Sequence, residues 1–107
     1  MTTFDKREEG FEKKFALEEE QKFKALARRN RLLGLWVAEK LGLKGEAADI
    51  YAKTVIAAEF GEGGDAGVIT KVMSDLATKG DPVAEKEIRA KMDELAALAI
   101  IQVKAGV

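Results

Sequence analysis

The chain contains no cysteine, no histidine and a single proline, Pro82, among its 107 residues. Without cysteine there is no disulfide, no thiolate metal site and no thiol nucleophile. Without histidine the commonest general base and the commonest transition-metal ligand are missing as well. Helical bundles that hold two metals through Glu-x-x-His are thereby excluded, and carboxylate pairs such as Asp93 with Glu94, or Glu85 with Glu87, read as solvated helix faces. An enzyme is not expected, nor a metal or a tightly held cofactor. No 18-residue apolar run exists, and Met1-Thr2-Thr3-Phe4-Asp5 has no basic stretch leading into an apolar one. The expectation is a cytoplasmic, soluble protein with no direct membrane insertion.

Strand-like alternation of β-branched residues is also missing, and glycine supplies the punctuation. It divides the chain into four helical segments, so the predicted fold class is all-α, a four-helix bundle with a long first helix. That segment reads from a Thr2 or Thr3 cap to Leu41, with Gly42 as its stop. The second runs from Glu46 to Phe60 with Ile50, Tyr51, Val55 and Ala58 on one side. The third takes Asp65 as N-cap, carries the stripe Val68, Ile69, Val72, Met73 and Leu76, and stops at Gly80. The fourth opens on Asp81 and Pro82 and carries Ile88, Met92, Leu95 and Leu98, which marks it as the central, most buried helix. Trp36 and Tyr51 read as core aromatics.

Aromatic residues are few and unevenly placed: Phe4, Phe11, Phe15 and Phe23 are four of the five phenylalanines, all within the first 31 residues. The same stretch holds 9 basic and 7 acidic residues (+2), against 9 basic and 12 acidic (−3) in the rest, an asymmetry too weak to imply nucleic acid. At about 1.5 Å per residue an unbroken first helix would overrun the fourth by roughly 24 Å, leaving its beginning nothing to pack on. Wound at about 100° per residue, Phe4, Phe11 and Phe15 fall within about 40° of one another on one face. Glu18, Glu19 and Lys22 then separate this patch from the apolar residues that follow. The chain therefore divides into a mobile or protruding arm, residues 1–20, and a bundle, residues 21–107. Burying one such ring is worth roughly 1.5–3 kcal/mol, so rings on so polar an arm mark a surface for a partner. The competing arrangement folds the arm back and buries the rings on the bundle.

Two further motifs bear on ligands. Lys22, Lys24, Arg28, Arg29 and Arg31 form a basic run with no acid among them, a candidate site for the phosphates of a nucleotide or of RNA, or a solvated face. Gly61-Glu62-Gly63-Gly64-Asp65-Ala66 matches the glycine pattern of dinucleotide sites. It follows a predicted helix rather than a strand and carries two acids that would repel a pyrophosphate, so it reads as a plain loop.

Taken together, Phe4-Asp5-x-Arg7-Glu8, Phe11-Glu12-x-Lys14-Phe15 and Arg28-Arg29-Asn30-Arg31-Leu32-Leu33-Gly34-Leu35-Trp36 make a distinctive set. With Ala38-Glu39, Lys71-Val72, Asp75-Leu76 and Ile88-Arg89-x-Lys91-Met92-Asp93-Glu94-Leu95, the chain resembles the zeta subunit of alphaproteobacterial F-type ATP synthase over essentially its whole length. The resemblance implies a regulatory inhibitor whose arm inserts at an interface of α and β subunits in the catalytic head, near the γ shaft, and blocks rotation in the hydrolysis direction. Phe4, Phe11 and Phe15 would then fill pockets, with Asp5, Arg7, Glu8, Glu12 and Lys14 pairing around them. It also implies weak binding of ATP or ADP by the bundle, for which the basic run is the candidate. Gly10 lies inside this arm, and a glycine within a helix costs roughly 0.5–1 kcal/mol relative to alanine.

Overall fold

Residues 17–107 are described by the structure, a computed structural model, and among them are four helices and no strand. They are α1 (Glu19–Lys40), α2 (Gly45–Ala58), α3 (Asp65–Lys79) and α4 (Glu85–Lys104). The all-α, four-helix expectation is met. Phe4, Phe11, Phe15 and the rest of the arm through residue 16 lie outside the described residues.

Helix boundaries differ from the expected ones for local reasons. The first helix begins at Glu19 rather than at Thr2 or Thr3, because Glu18 takes an extended backbone (φ −67°, ψ 160°) and forms a capping box with Gln21. The Glu18 amide donates to the Gln21 Oε1 at 3.1 Å. The helix stops at Gly42 as expected: its φ of +78° lets the Leu43 amide reach back to the Ala38 carbonyl at 2.9 Å. Helix α2 ends at Ala58, before Phe60, where the amides of Glu59, Phe60 and Gly61 turn to carbonyls only three residues back. In α3 the cap is Gly64, and Asp65 is the first helical residue instead. Helix α4 starts at Glu85, not at Pro82: Val83 is drawn into the core, and the chain stays non-helical from 81 to 84 to place it there.

The core comprises Leu33 and Val37 of α1, Val55 of α2, Val68, Val72 and Leu76 of α3, and Ile88 of α4, each fully buried. Side chains of this size stabilise the fold by roughly 1.5–3 kcal/mol each on burial. Ile50 does not join them and is 55% exposed, since a residue two positions before Ala52 points to the opposite face of α2. Helix α1, not α4, is the axis of the bundle. It packs against each of the other three, whereas the backbones of α4 and α2 do not come close and α4 leaves Leu98 and Ile101 outside. Small residues make α1 suited to this: Gly34 and Ala38 are buried on it, and a Cβ on Gly34 would lie 2.6 Å from the Cα of Ala52.

Trp36 and Tyr51 border the core rather than fill it. The Lys40 and Lys91 ammonium groups lie 4.8 and 5.6 Å from the Trp36 ring centre. The Tyr51 hydroxyl donates to Asp75 at 2.7 Å. Burial, reinforced by that hydrogen bond and the Asp75 charge, pushes the phenol above its ordinary range. Burial alone would raise Asp75, but Tyr51 and Lys71 hold its carboxyl down.

The close approach at Gly34 gives a direct test. Gly34→Ala forces α1 and α2 apart against backbone, so it is expected to lower the unfolding free energy by about 1–3 kcal/mol. Urea titration followed by circular dichroism measures it, and an unchanged midpoint refutes the close approach.

Candidate functional site

The five residues of the basic run sit on α1, and the helix splits them. At about 100° per residue, Lys24, Arg28 and Arg31 fall within about 60° of one another, whereas Lys22 and Arg29 lie on the opposite side. The winding that grouped the phenylalanines contains this separation as well.

Lys24, Arg28 and Arg31 border a groove of about 460 Å³ whose apolar parts are Phe23, Ala27, Ile56, Val103 and Val107. This lies within the range of about 300–1,000 Å³ typical of small-molecule sites. Phe23 is 57% exposed and Phe60 62% exposed, and their rings pair at 5.6 Å with a 31° tilt. The cations are only loosely engaged: Lys24 meets Glu20 at 3.2 Å, Arg28 donates to Gln102 at 3.3 Å, and Arg31 lies 3.9 Å from Asp49. Exposed pairs of this kind contribute about 0–1 kcal/mol, so an incoming anion displaces them at little cost. Phe60, Val103 and Val107 were not singled out from the sequence, since nothing local in it indicates that two helix ends converge on α1.

On the other side, Arg29 is buried, 9% exposed, and is committed to the chain itself. Its guanidinium donates to both Asp65 oxygens, at 2.7 and 3.3 Å, to Glu59 at 3.3 Å, and to the Asn30 amide oxygen at 2.9 and 3.1 Å. Asn30, fully buried, returns a hydrogen bond from Nδ2 to Glu59 at 3.3 Å. No buried side-chain nitrogen or oxygen among the described residues lacks a partner. The cluster ties α1 to both ends of the α2–α3 turn and so occupies the second half of the Gly-rich motif. Asp65 is held below its ordinary range by the Arg29 hydrogen bonds, aided by Glu59. Glu59 is raised by burial and by the neighbouring Asp65, against the opposing pull of Asn30 and Arg29.

Lys22 pairs with Glu19 at 3.3 Å beside a second, smaller groove between α1 and α4. Asp5, Arg7, Glu8, Glu12 and Lys14, like the three arm phenylalanines, lie outside the described residues. Among the described residues no cluster of acidic groups has the arrangement to hold a metal ion, and no helix is long and apolar enough to cross a membrane.

A family model described as ATPase inhibitor subunit zeta matches residues 1–102, which takes in the arm and nearly all of the bundle. Among solved chains, one described as a solution NMR structure is 47% identical, with 79% of this chain and 96% of that chain covered and a TM-score of 0.69. No curated protein matches the chain.

The opposed shifts at Glu59 and Asp65 fix the sign of a pH response. A raised Glu59 means the folded state holds that proton more tightly, a contribution present below its ordinary value of 4.5 and lost as pH rises through the raised folded value. A depressed Asp65 contributes above its ordinary value of 3.8 and loses that contribution as pH falls through the lowered one. Acidification from neutrality toward 4.5 is therefore expected to favour the cluster, with weakening only below 3.8. Urea unfolding across this range checks it. In Glu59→Gln the gain on mild acidification should vanish while the loss in stronger acid remains.

Proposed function

Because the chain belongs to the ATPase inhibitor subunit zeta family, whose members are regulatory subunits rather than enzymes, we propose that its arm is the inhibitory element. Residues 1–20 insert at an interface of α and β subunits in the catalytic head of F-type ATP synthase, beside γ, and stop rotation in the hydrolysis direction. The observation that carries this reading is the family match itself, which spans residues 1–102 and so takes in the arm with its phenylalanines. Residues 17–107 supply a closed core, and their buried polar side-chain atoms all have partners. In this reading Phe4, Phe11 and Phe15 fill pockets of the other protein, with Asp5, Arg7, Glu8, Glu12 and Lys14 pairing at the rim. Three rings contribute roughly 5–9 kcal/mol by buried area, and ordering the arm takes back about 2–5 kcal/mol. The charged residues must therefore contribute if binding is tight, and the bundle limits how far the arm threads.

A second reading concerns the groove at Lys24, Arg28 and Arg31. Its size, its cations and the exposed Phe23 ring favour weak binding of an adenine nucleotide, the phosphates on the arginines and the base against the ring. Lys22 and Arg29, though part of the same run in sequence, take no part in this arrangement.

Both readings are measurable. Deleting residues 1–16 is expected to abolish inhibition of ATP hydrolysis by the cognate enzyme, and each of Phe4→Ala, Phe11→Ala and Phe15→Ala to raise the half-inhibitory concentration about 10- to 100-fold. Full inhibition by the truncated chain would refute the assignment. In NMR titration with ADP, signals of Phe23 and Ala27 are expected to move, and Arg28→Ala with Arg31→Ala to suppress the movement. Equal shifts in both proteins would rule the groove out.

A further inference from the structure

Phe23 is the fifth residue of α1 and more than half of its surface is exposed, so the core does not fix its ring. A helix excludes one of the three staggered χ1 positions and leaves a side chain the other two. One ring lies against it: Phe60, 5.6 Å away and tilted by 31°, within the range of an offset aromatic pair. Phe23 borders the cationic groove of α1, and Phe60 does not.

Phe60 takes its own place from the end of α2. Its amide donates to the Ala57 carbonyl at 3.1 Å, and the residue before it, Glu59, accepts from Arg29 Nη2 and Asn30 Nδ2, each at 3.3 Å. The Glu59 side chain is only 11% exposed. Asn30 lies seven residues after Phe23, which on a helix is the same face two turns, or about 10 Å, along. The chain therefore leaves α2 at a point pinned to α1 and sets its next side chain beside the ring at the other end of that face.

We propose that Phe60 is a positioning residue: it holds the Phe23 ring in the rotamer that gives the groove a flat wall, and so acts on a bound adenine base without touching it. Its functional meaning rests on the nucleotide reading of the groove, whereas the hold on the ring does not. The phosphate end is set independently. Arg28 bonds to Gln102 and Arg31 lies near Asp49, and neither contact involves Phe60. Removing Phe60 weakens what stacks and spares what is held by charge. The choice between two rotamers and the strength of such a ring pair set the size of the effect at about two- to tenfold.

NMR couplings across χ1 of Phe23 test the hold in the full chain with no ligand present. A single rotamer is expected in the native chain, averaging over two in Phe60→Ala, and the native value again in Phe60→Tyr. Because Phe60 is exposed, circular dichroism should show the same helix content in all three. Native couplings in Phe60→Ala would overturn the proposal whatever the ligands do. Titrations with ADP, adenosine and pyrophosphate, followed at Ala27 and Ile56, read the consequence. In Phe60→Ala the half-saturating concentrations of ADP and adenosine are expected to rise about two- to tenfold and that of pyrophosphate to stay unchanged, while Phe60→Tyr binds all three as the native chain does. Unchanged ADP binding in Phe60→Ala would overturn the proposal, and so would an equal rise for pyrophosphate, which would mark a general disturbance of the groove. A native chain that answers to none of the three ligands would refute the nucleotide reading instead, and the couplings alone would then decide whether Phe60 holds the ring.

Discussion

A guanidinium does not lose its charge in a protein, so the buried Arg29 must be met by negative partners wherever it sits. Asp65 and Glu59 meet it from the two ends of the α2–α3 turn, and Asn30 fills the remaining donor and acceptor positions. The turn itself, rich in glycine, has little side-chain packing to hold it. It is attached to α1 by this cluster and by the pairing of the Phe60 ring with Phe23 at 5.6 Å; of the ionic members only Arg29 and Glu59 are largely shielded, since Asp65 is half exposed. By holding the turn against the middle of α1, the cluster sets where α2 lies along that helix, and Gly34 then meets Ala52 at backbone distance. Polar chemistry fixes the register, and apolar packing fills in around it.

The arrangement also explains how one helix serves two purposes. On one side α1 presents Lys24, Arg28 and Arg31 to a broad groove, and on the other Lys22, Ala25, Leu26 and Arg29 border a narrow one. The difference arises because Arg29 is turned inward to Asp65 and Glu59, whereas Lys22, like Lys24, is exposed and only loosely paired along its own helix. Of the run's five cations, Lys22, Lys24 and Arg31 keep exposed and loosely paired charges, Arg28 is half-buried, and Arg29 has been removed from the surface.

Much of this was legible in the residues. The helical stripes of α3, the stops at Gly42 and Gly80 and the absence of strands follow from periodicity and from glycine's tolerance of positive φ. The boundaries at Asp65, Pro82 and Phe60 were not, because each was decided by a tertiary demand that local preference does not carry. Asp65 gave up the cap position and binds Arg29, and Val83 pulled its neighbours out of helix to reach the core. The choice of α1 as axis was hidden for a similar reason. Hydrophobic content favours α4, but centrality is decided by which helix lets others come close, and that depends on Gly34 and Ala38. Ile50 and the split basic run are a different case, since winding the helix residue by residue separates them and grouping by sequence proximity does not.

Capping at Glu18 has a mechanical side. A helix carried through this point would join arm and body as a rigid lever, and any push on the far end would twist the bundle about its base. The cap at Glu18 closes the hydrogen-bond ladder of α1, so the stiffness of that helix belongs to the body alone.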